Sequence, residues 1–225
     1  MTVAIIADAH IGGPGGGPEP LITQLRALPS QGCERLVLLG DLFQAWIGFE
    51  RFETPEIRAV AEALRELRRG GLPIDSIEGN RDFFLDAPRY ADCFDRVVSE
   101  VAFTAGGKRY LAVHGDGLND RDRQYLFWRW LSKNRVSRFW ADKIPRRLAQ
   151  RVVTSAEARL SQTNFKHKAR IPDEVICHYG ERRLAEGYDT LLLGHFHEAR
   201  TWQVPGGEIR LLEAWFTGRR VEWFG

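Results

Sequence analysis

The chain has 225 residues, of which 44% are hydrophobic, so it is long enough to bury a large core in one domain. Its formal net charge is only +2, which gives no overall bias toward polyanionic partners. No apolar run reaches the roughly 18 residues of a membrane-spanning helix, and the first residues, MTVAIIADAH, lack the basic start of a signal peptide.

Five short apolar runs, rich in Val, Ile and Leu, are predicted to be buried strands, and each ends in polar residues. In chain order they are VAIIADAH, RLVLLGD, PIDSIEGN, RYLAVHGD and TLLLGHFH, and their polar ends are Asp8 and His10, Asp41, Asn80, His114 and Asp116, and His195 and His197. The stretch TPEIRAVAEALRELRRGG is predicted to be a helix, with Thr54 as N-cap and Gly70-Gly71 as its end. Alternating strands and helices indicate an α/β architecture, in which ligands gather at the carboxyl ends of the strands. The C-terminal stretch GEIRLLEAWFTGRRVEWFG is predicted to be a β-hairpin with a Thr-Gly turn.

Residues 118–170, called the lid below, differ in composition from the rest of the chain. They hold fourteen Lys and Arg but four Asp and Glu, a net charge of +10. They also hold a dense set of aromatic residues: Tyr125, Phe127, Trp128, Trp130, Phe139 and Trp140. Basic and aromatic residues together indicate a surface that meets something both apolar and anionic. The same composition also fits an ordinary helical hairpin with a solvated basic face.

The polar strand ends form a set with ligand chemistry: Asp8, His10, Asp41, Asn80, His114, His195 and His197. Oxygen and nitrogen donors without thiolate indicate Mn²⁺, Fe²⁺ or Zn²⁺ rather than a cysteine-bound zinc. Seven ligands are too many for one ion and suit two ions with a bridging carboxylate. Two metal ions can clamp the attacking and departing oxygens of a phosphoryl group, so the set predicts hydrolysis of a phosphoester or phosphoanhydride.

The motifs Asp-x-His, Gly-Asp, Gly-Asn, Val-His-Gly-Asp and Gly-His-x-His, in this order, resemble the calcineurin-like metallophosphoesterase superfamily. The resemblance implies an α/β fold with two facing β-sheets flanked by helices, a four-layer sandwich. It implies one domain over residues 1–225, with the lid as a helical insertion. It also implies two metal subsites that share Asp41. The first would use Asp8, His10, Asp41 and His197, and the second Asp41, Asn80, His114 and His195.

Arg81 narrows the choice within the superfamily. Most members have His after the Gly-Asn pair, where it assists a departing alkoxide, whereas Arg remains protonated and cannot donate a proton. A phosphate monoester leaving group needs no such proton, and Arg can brace phosphate oxygens in bidentate fashion. The stretches EGNRDFF and GDLFQAWIG resemble the UDP-2,3-diacylglucosamine diphosphatase family of lipid A biosynthesis.

That resemblance implies two Mn²⁺ ions, attack of water on the α-phosphorus of the UDP group, and release of UMP and 2,3-diacylglucosamine 1-phosphate. It assigns catalytic roles to Asn80, Arg81 and His114. The lid would shelter the acyl chains. The implied substrate contacts are Asn80, Arg81, Asp122, Tyr125, Ser161, Asn164, Lys168 and His195.

The chain departs from the family pattern at Phe49-Glu50, Phe196, Glu198-Ala199 and Phe216. These differences leave open a related nucleotide-linked or lipid-linked pyrophosphate as substrate. The chain could also be a nuclease or phosphodiesterase whose basic lid grips nucleic acid, or a scaffold without metals. The apolar spacing of FWRWLSKNRVSRFW favours an amphipathic helix that faces lipid or the core over a surface that stacks nucleic-acid bases. We expect a cytoplasmic protein bound peripherally to the anionic inner-membrane surface, which agrees with its three isolated cysteines.

Overall fold

The computed structural model of the chain describes residues 1–119, 122–163 and 173–225. Within them the strands are β1 (Val3–Ile6), β2 (Arg35–Leu38), β3 (Trp46–Ile47), β4 (Ile74–Ile77), β5 (Asp82–Phe83), β6 (Arg96–Val98), β7 (Glu100–Ala105), β8 (Lys108–Val113), β9 (Thr190–Leu193), β10 (Arg200–Val204), β11 (Gly207–Leu211) and β12 (Glu222–Phe224). The helices are α1 (Glu19–Ala27), α2 (Pro55–Arg69), α3 (Arg123–Lys133), α4 (Arg135–Lys143), α5 (Arg146–Thr163), α6 (Asp173–Leu184) and α7 (Trp215–Gly218). All five predicted strands are confirmed.

Two five-stranded sheets form the body of the molecule. The first has the order β12-β1-β2-β4-β6, and the second has the order β10-β11-β9-β8-β7. Strands β1, β2, β4 and β6 are parallel to one another, and so are β8, β9 and β11. Strands β3 and β5 pair separately, in parallel.

The alternation of side chains along β1 shows how the layers stack. Val3 and Ile5 belong to an apolar cluster that also contains Ala112 and Leu192 from the second sheet. The intervening residues of β1 belong to a different cluster, formed with helices α1 and α2. Because successive strand residues point to opposite faces, the two sheets face each other and α1 and α2 cover the outer face of the first.

Helix α6 covers the outer face of the second sheet, where Ile176 and Leu184 pack with Leu191 and Ile209. The layers therefore run helix, sheet, sheet, helix. The predicted four-layer α/β sandwich is confirmed.

Helix α2 shows how local sequence sets an element. The side chain of Thr54 accepts a hydrogen bond from Ile57 N at 3.3 Å, and Pro55 occupies the first turn. Gly70 is the C-cap, and Gly71 adopts a φ of 87°. The predicted cap and end of this helix are confirmed.

The prediction of a C-terminal β-hairpin is wrong. The hairpin consists instead of β10 and β11, while β12 pairs antiparallel with β1 in the other sheet. Helix α7 separates β11 from β12, and Trp215 at its start is buried. A hairpin would place β12 beside β11, whereas burial of this indole in the core separates the two strands. Burial thus outweighs the alternating pattern of the sequence.

Helices α3, α4 and α5 belong to the lid and make limited contact with the body. Neither α3 nor α4 has a buried side chain, whereas Ala149 and Val153 of α5 pack with Phe52. Among the described residues, no helix combines the length and apolar character needed to cross a bilayer.

Candidate metal centre

The seven candidate ligands follow strands whose carboxyl ends meet at one edge of the two facing sheets. Asp8 and His10 follow β1, Asp41 follows β2, Asn80 follows β4, His114 follows β8, and His195 and His197 follow β9. Strands β1, β2 and β4 are parallel in one sheet, and β8 and β9 are parallel in the other. The topology therefore brings distant parts of the sequence to one place.

Five of these residues have left-handed backbone conformations. Their φ angles are 50° at Asp8, 46° at His10, 54° at Asp41, 69° at His195 and 64° at His197. Such values are uncommon for residues other than glycine, although Asp and His tolerate them better than most. Strained backbone of this kind concentrates at functional sites, and here it coincides with the candidate ligands.

Two glycines of the motifs are required by close approach of the chain. Gly40 has a φ of 87°, and a Cβ atom there would lie 2.6 Å from His114 Nδ1. A Cβ atom on Gly79 would overlap with Asp41 Oδ1. The Gly-Asp and Gly-Asn pairs therefore contain glycine because a side chain would displace the neighbouring candidate ligands.

One cluster of ligand atoms is formed by Asp8, His10 and His197, whose atoms lie within 4.8 Å of one another. The Nε2 atoms of the two imidazoles are 3.0 Å apart. Asp8 Oδ1 lies 3.3 Å from Nε2 of His197 and 3.7 Å from Nε2 of His10. The ring of Phe216 packs against both imidazoles, with centroid distances of 5.1 Å to His197 and 5.6 Å to His10.

Asp8, Asp41 and His114 form a second cluster with the same 4.8 Å limit. Asp41 Oδ1 lies 3.6 Å from His114 Nε2, and Asp41 Oδ2 lies 3.9 Å from His10 Nε2. The two oxygens of one carboxylate thus approach imidazoles of both clusters. Asn80 Oδ1 is 3.3 Å from His114 Nε2.

His195 lies beside the second cluster. Its ring centroid is 5.2 Å from that of His114, and its backbone N–H donates a hydrogen bond of 2.7 Å to Asp8 Oδ2. His114 Nδ1 is 2.8 Å from the carbonyl oxygen of Leu39, which requires Nδ1 to be the donor. In the neutral imidazole Nε2 then carries no proton and is available as a ligand atom.

Asp82 supports the loops that carry Asp41 and Asn80, and sequence reasoning missed it. Its Oδ2 accepts hydrogen bonds from Asp41 N at 2.7 Å and Gly79 N at 2.9 Å. Burial, and then the nearby Asp41 carboxylate, raise the pKa of Asp82 above its usual range. The available signal was its place directly after Arg81 in EGNRDFF.

The electrostatics of the centre fit divalent cations. Asp8 and Asp41 are fully buried, and within the described residues Asp41 Oδ2 accepts no hydrogen bond. Burial alone raises the pKa of Asp8, but the imidazoles around it reverse this effect and lower the pKa below its usual range. Buried carboxylates require compensating positive charge, and oxygen and imidazole donors are ligands for Mn²⁺, Fe²⁺ and Zn²⁺.

Arg81 is buried at this centre, with 2% of its surface exposed. Its Nη1 donates to Gln44 Oε1, and its Nε lies 3.5 Å from Asp41 Oδ2. Burial lowers the pKa of Arg81, while Asp41 opposes that shift. Gln44 is a second residue that sequence reasoning missed, and it carries no motif signal apart from its place in GDLFQAWIG.

An apolar cavity of about 750 Å³ adjoins the centre. Asn80 and Arg81 line it together with Ile47, Phe84 and Leu148. The cavity is bounded by the body on one side and by α4 and α5 of the lid on the other, since Trp140 and Val152 also contribute to its wall. A polar centre and an apolar cavity therefore share two residues.

The lid residues predicted to contact substrate have structural partners of their own where they are described. Asp122 caps α3, accepting a hydrogen bond of 2.9 Å from Tyr125 N. The Tyr125 hydroxyl donates a 2.6 Å hydrogen bond to Asp116. Ser161 lies in α5, but its side chain, and the whole of Asn164 and Lys168, lie outside the described residues.

The sequence matches the calcineurin-like phosphoesterase family over residues 1–199. It is 31% identical to the UDP-2,3-diacylglucosamine hydrolase of Ralstonia nicotianae, in an alignment covering 95% of this chain and 83% of that protein. It is also 31% identical to the protein of the same name from Stenotrophomonas maltophilia, covering 92% and 86%. A hypothetical protein of Pyrococcus horikoshii OT3 shares the fold at 12% identity, with a TM-score of 0.50 over 99% of this chain and 86% of that one.

The chain therefore belongs to the calcineurin-like phosphoesterase family, and within it to the group of proteins named UDP-2,3-diacylglucosamine hydrolase. The family consists of hydrolases that use divalent metal ions, and the two ligand clusters agree with that chemistry.

Proposed function

We propose that the chain hydrolyses the pyrophosphate bond of UDP-2,3-diacylglucosamine and releases UMP and 2,3-diacylglucosamine 1-phosphate. The observation that carries this proposal is the sharing of Asn80 and Arg81 between the candidate metal centre and the apolar cavity. A substrate whose pyrophosphate lies at the metal centre and whose acyl chain lies in the cavity would occupy both sites. The relatives that carry this activity in their name cover most of the chain.

In this proposal the centre holds two Mn²⁺ ions. Asp8, His10, Asp41 and His197 would hold one, and Asp41, Asn80, His114 and His195 would hold the other. The approach of the two Asp41 oxygens to His10 and His114 supports a bridging role for this carboxylate. When bound, a metal pair acidifies water and stabilises negative charge on a phosphoryl group.

The side chains around the metal pair orient the substrate. Arg81 presents a permanent cation that can brace phosphate oxygens as their charge increases, and Gln44 and Asp41 hold this guanidinium in place. No general acid is required, because the departing sugar phosphate is already a stable anion. The lid, as an insertion in a single domain over residues 1–225, covers the acyl chain. Asp122, Tyr125, Ser161, Asn164 and Lys168 remain the proposed contacts in the lid.

We further propose that the lid docks peripherally on the anionic cytoplasmic face of the inner membrane. Large aromatic side chains of α3 and α4 are more than half exposed: Phe127 54%, Trp128 57%, Trp130 63%, Phe139 58% and Trp140 66%. Basic residues of the same two helices are also exposed, including Arg123, Arg135 and Lys143. Apolar side chains that enter the interface and cations that meet anionic lipid act together in such docking.

The test is release of UMP from UDP-2,3-diacylglucosamine in detergent micelles by purified protein with Mn²⁺. UMP and 2,3-diacylglucosamine 1-phosphate are expected in equal amounts. In ¹⁸O-labelled water the label should enter UMP, because attack occurs at the phosphorus next to uridine. Cleavage of single-stranded DNA or a simple phosphodiester, without UMP release, would overturn the substrate and favour a nuclease or phosphodiesterase.

A further inference from the structure

One face of helix α3 carries three polar residues directed at the metal-site loops. Tyr125, Arg129 and Lys133 are spaced four residues apart, so they lie on the same side of the helix. All three make contacts with loops of the body. We call these residues the α3 stripe.

The first contact of the α3 stripe is with the loop after β8. Asp116 Oδ2 accepts a 2.6 Å hydrogen bond from the Tyr125 hydroxyl and a 2.7 Å hydrogen bond from Arg129 Nε. Only 5% of the Asp116 side chain is exposed, and Asp116 is two residues after His114. Burial raises the pKa of this carboxyl, but the positive charges around it reverse the effect and lower the pKa well below its usual range.

The second contact is with the loop after β4. Lys133 Nζ donates a 2.7 Å hydrogen bond to the carbonyl oxygen of Gly79, directly before Asn80. The same ammonium lies 3.7 Å from the Glu78 carboxylate and 5.5 Å from the centre of the Phe83 ring. With 14% of its side chain exposed, Lys133 is held between the lid and this loop.

These contacts connect one lid helix to the two loops that carry Asn80 and His114, whose ligand atoms are 3.3 Å apart. The body also holds each of these two loops, since Gly79 N donates to Asp82 Oδ2 at 2.9 Å and Gly194 N donates to the carbonyl oxygen of His114 at 3.0 Å, and the α3 stripe adds one element that contacts both. We infer that Arg129 and Lys133 are positioning residues that fix the Asn80 and His114 loops relative to each other and thereby set the metal affinity of the Asp41–Asn80–His114–His195 subsite. This inference rests on the metal centre proposed above.

The test is the Mn²⁺ stoichiometry and affinity of Arg129→Met and Lys133→Met, measured by titration calorimetry on metal-free protein and by metal analysis after dialysis. Wild-type protein should bind two Mn²⁺ per chain. In each variant one ion should bind as before and the other about 10–100-fold more weakly, the loss typical of groups that support metal ligands. The two variants remove different contacts, so one remains informative if the other does not fold.

Arg138→Met is the matched control. Arg138 also joins the lid to the body, through two hydrogen bonds of 2.6 and 2.8 Å to Asp86, and its guanidinium lies 5.6 Å from the Phe84 ring. It contacts neither Gly79 nor Asp116 in the described structure. This variant should therefore bind both ions with wild-type affinity.

The outcomes separate the inference from the metal centre itself. Failure of wild-type protein to bind two ions would overturn the proposed centre. Two ions with unchanged affinity in both stripe variants would overturn only the inference. So would an equal weakening of both ions in all three variants, because the lid would then act through general stability.

Discussion

The strand-end loops and the lid are held in place in different ways. The loops are buried: Asp8, His10 and Asp41 have no exposed surface, and backbone hydrogen bonds join each loop to its neighbours. In the lid, α3 and α4 have no buried side chain, and several polar contacts together with the partly buried Ala141 attach them to the body. The candidate ligands thus belong to the buried part of the fold, whereas the surface proposed to dock on the membrane lies on a peripheral attachment to it.

The largest loss of activity should come from a substitution in the strand-end loops. Asp41→Ala removes a carboxylate whose two oxygens approach both ligand clusters. We expect activity to fall by more than the roughly 10–100-fold typical of residues that only support ligands, and bound Mn²⁺ to fall with it. Metal analysis and UMP release measure this change. Glu62→Ala, on the exposed face of α2, should leave both unchanged. Two bound ions and near-normal turnover in Asp41→Ala would refute the bridging role.

Arg81→Lys keeps the charge but removes the planar fork of the guanidinium. We expect kcat on the pyrophosphate substrate to fall roughly 10²–10³-fold, as for the loss of one transition-state donor. Arg81→His should not restore it, although it should help substrates with poor leaving groups. Arg89→Lys is the control, because Arg89 makes a comparable pair of contacts with Glu53 outside the centre. Full activity in Arg81→Lys would rule out bidentate bracing.

Substitutions in the lid should weaken binding to vesicles and to the diacylated substrate, and not the hydrolytic reaction itself. Trp128 and Trp130 are 57% and 63% exposed, so the double change to Ser should leave the body intact. Each large apolar group that enters a membrane interface contributes up to roughly 1.5–3 kcal/mol, and recruitment to anionic vesicles should weaken by about tenfold or more. The Michaelis constant for the diacylated substrate should rise, whereas hydrolysis of a small phosphodiester should persist.

Trp223→Ser is the matched control for the lid, because Trp223 is 39% exposed on β12 in the first sheet. Its vesicle binding should equal that of wild type, and neutral vesicles should recruit either protein poorly. An equal loss on both substrates in the Trp128/Trp130 variant would contradict the docking role. Loss of tight single-stranded DNA binding in that variant would point to a nucleic-acid surface.

The smallest effect on activity should come from a change at Asp75, which lies within β4 and belongs neither to the strand-end loops nor to the lid. Its buried carboxylate accepts hydrogen bonds of 2.7 Å from both Arg35 and Arg96. Burial raises the pKa of Asp75, but the two guanidinium groups reverse this and lower it overall. The stability it contributes is therefore present above the unfolded pKa of about 3.9 and is lost as the pH falls through the lower folded value.

Asp75→Asn should reduce the free energy of unfolding by about 1–3 kcal/mol near pH 7. The difference from wild type should shrink below about pH 4, while kcat stays unchanged. Urea unfolding across this pH range measures the effect. Asp92→Asn, at a carboxylate that is 65% exposed in its ion pair with Arg65, should change stability little. A difference that stays constant down to pH 2 would contradict the pKa shift.

The sequence allowed prediction of the parts of the fold that depend on local pattern. The five strands and the cap of α2 follow from apolar runs and from Thr54 and Pro55. The C-terminal hairpin could not be excluded locally, because the preference of β12 for β1 comes from tertiary burial of Trp215 and Phe224.

The centre was predictable to the extent that its motifs name residue types. The positions of Asp82 and Gln44 were not, since each acts through a contact with a residue distant in sequence or on another loop. Lid contacts such as Lys133 with Gly79 join positions 54 residues apart. A carbonyl acceptor carries no side-chain signal, so this contact is invisible in a single sequence.

The left-handed backbone at five candidate ligands has a consequence for how the protein can evolve. Each such residue costs about 1–2 kcal/mol relative to a relaxed conformation, so the five together forgo roughly 5–10 kcal/mol. Glycine would relieve that cost at any of these positions but would delete a ligand. Substitutions that increase thermal stability and selection for the metal ligands therefore oppose each other at the same five positions. The surrounding core must contribute enough folding free energy to offset the cost of these ligands.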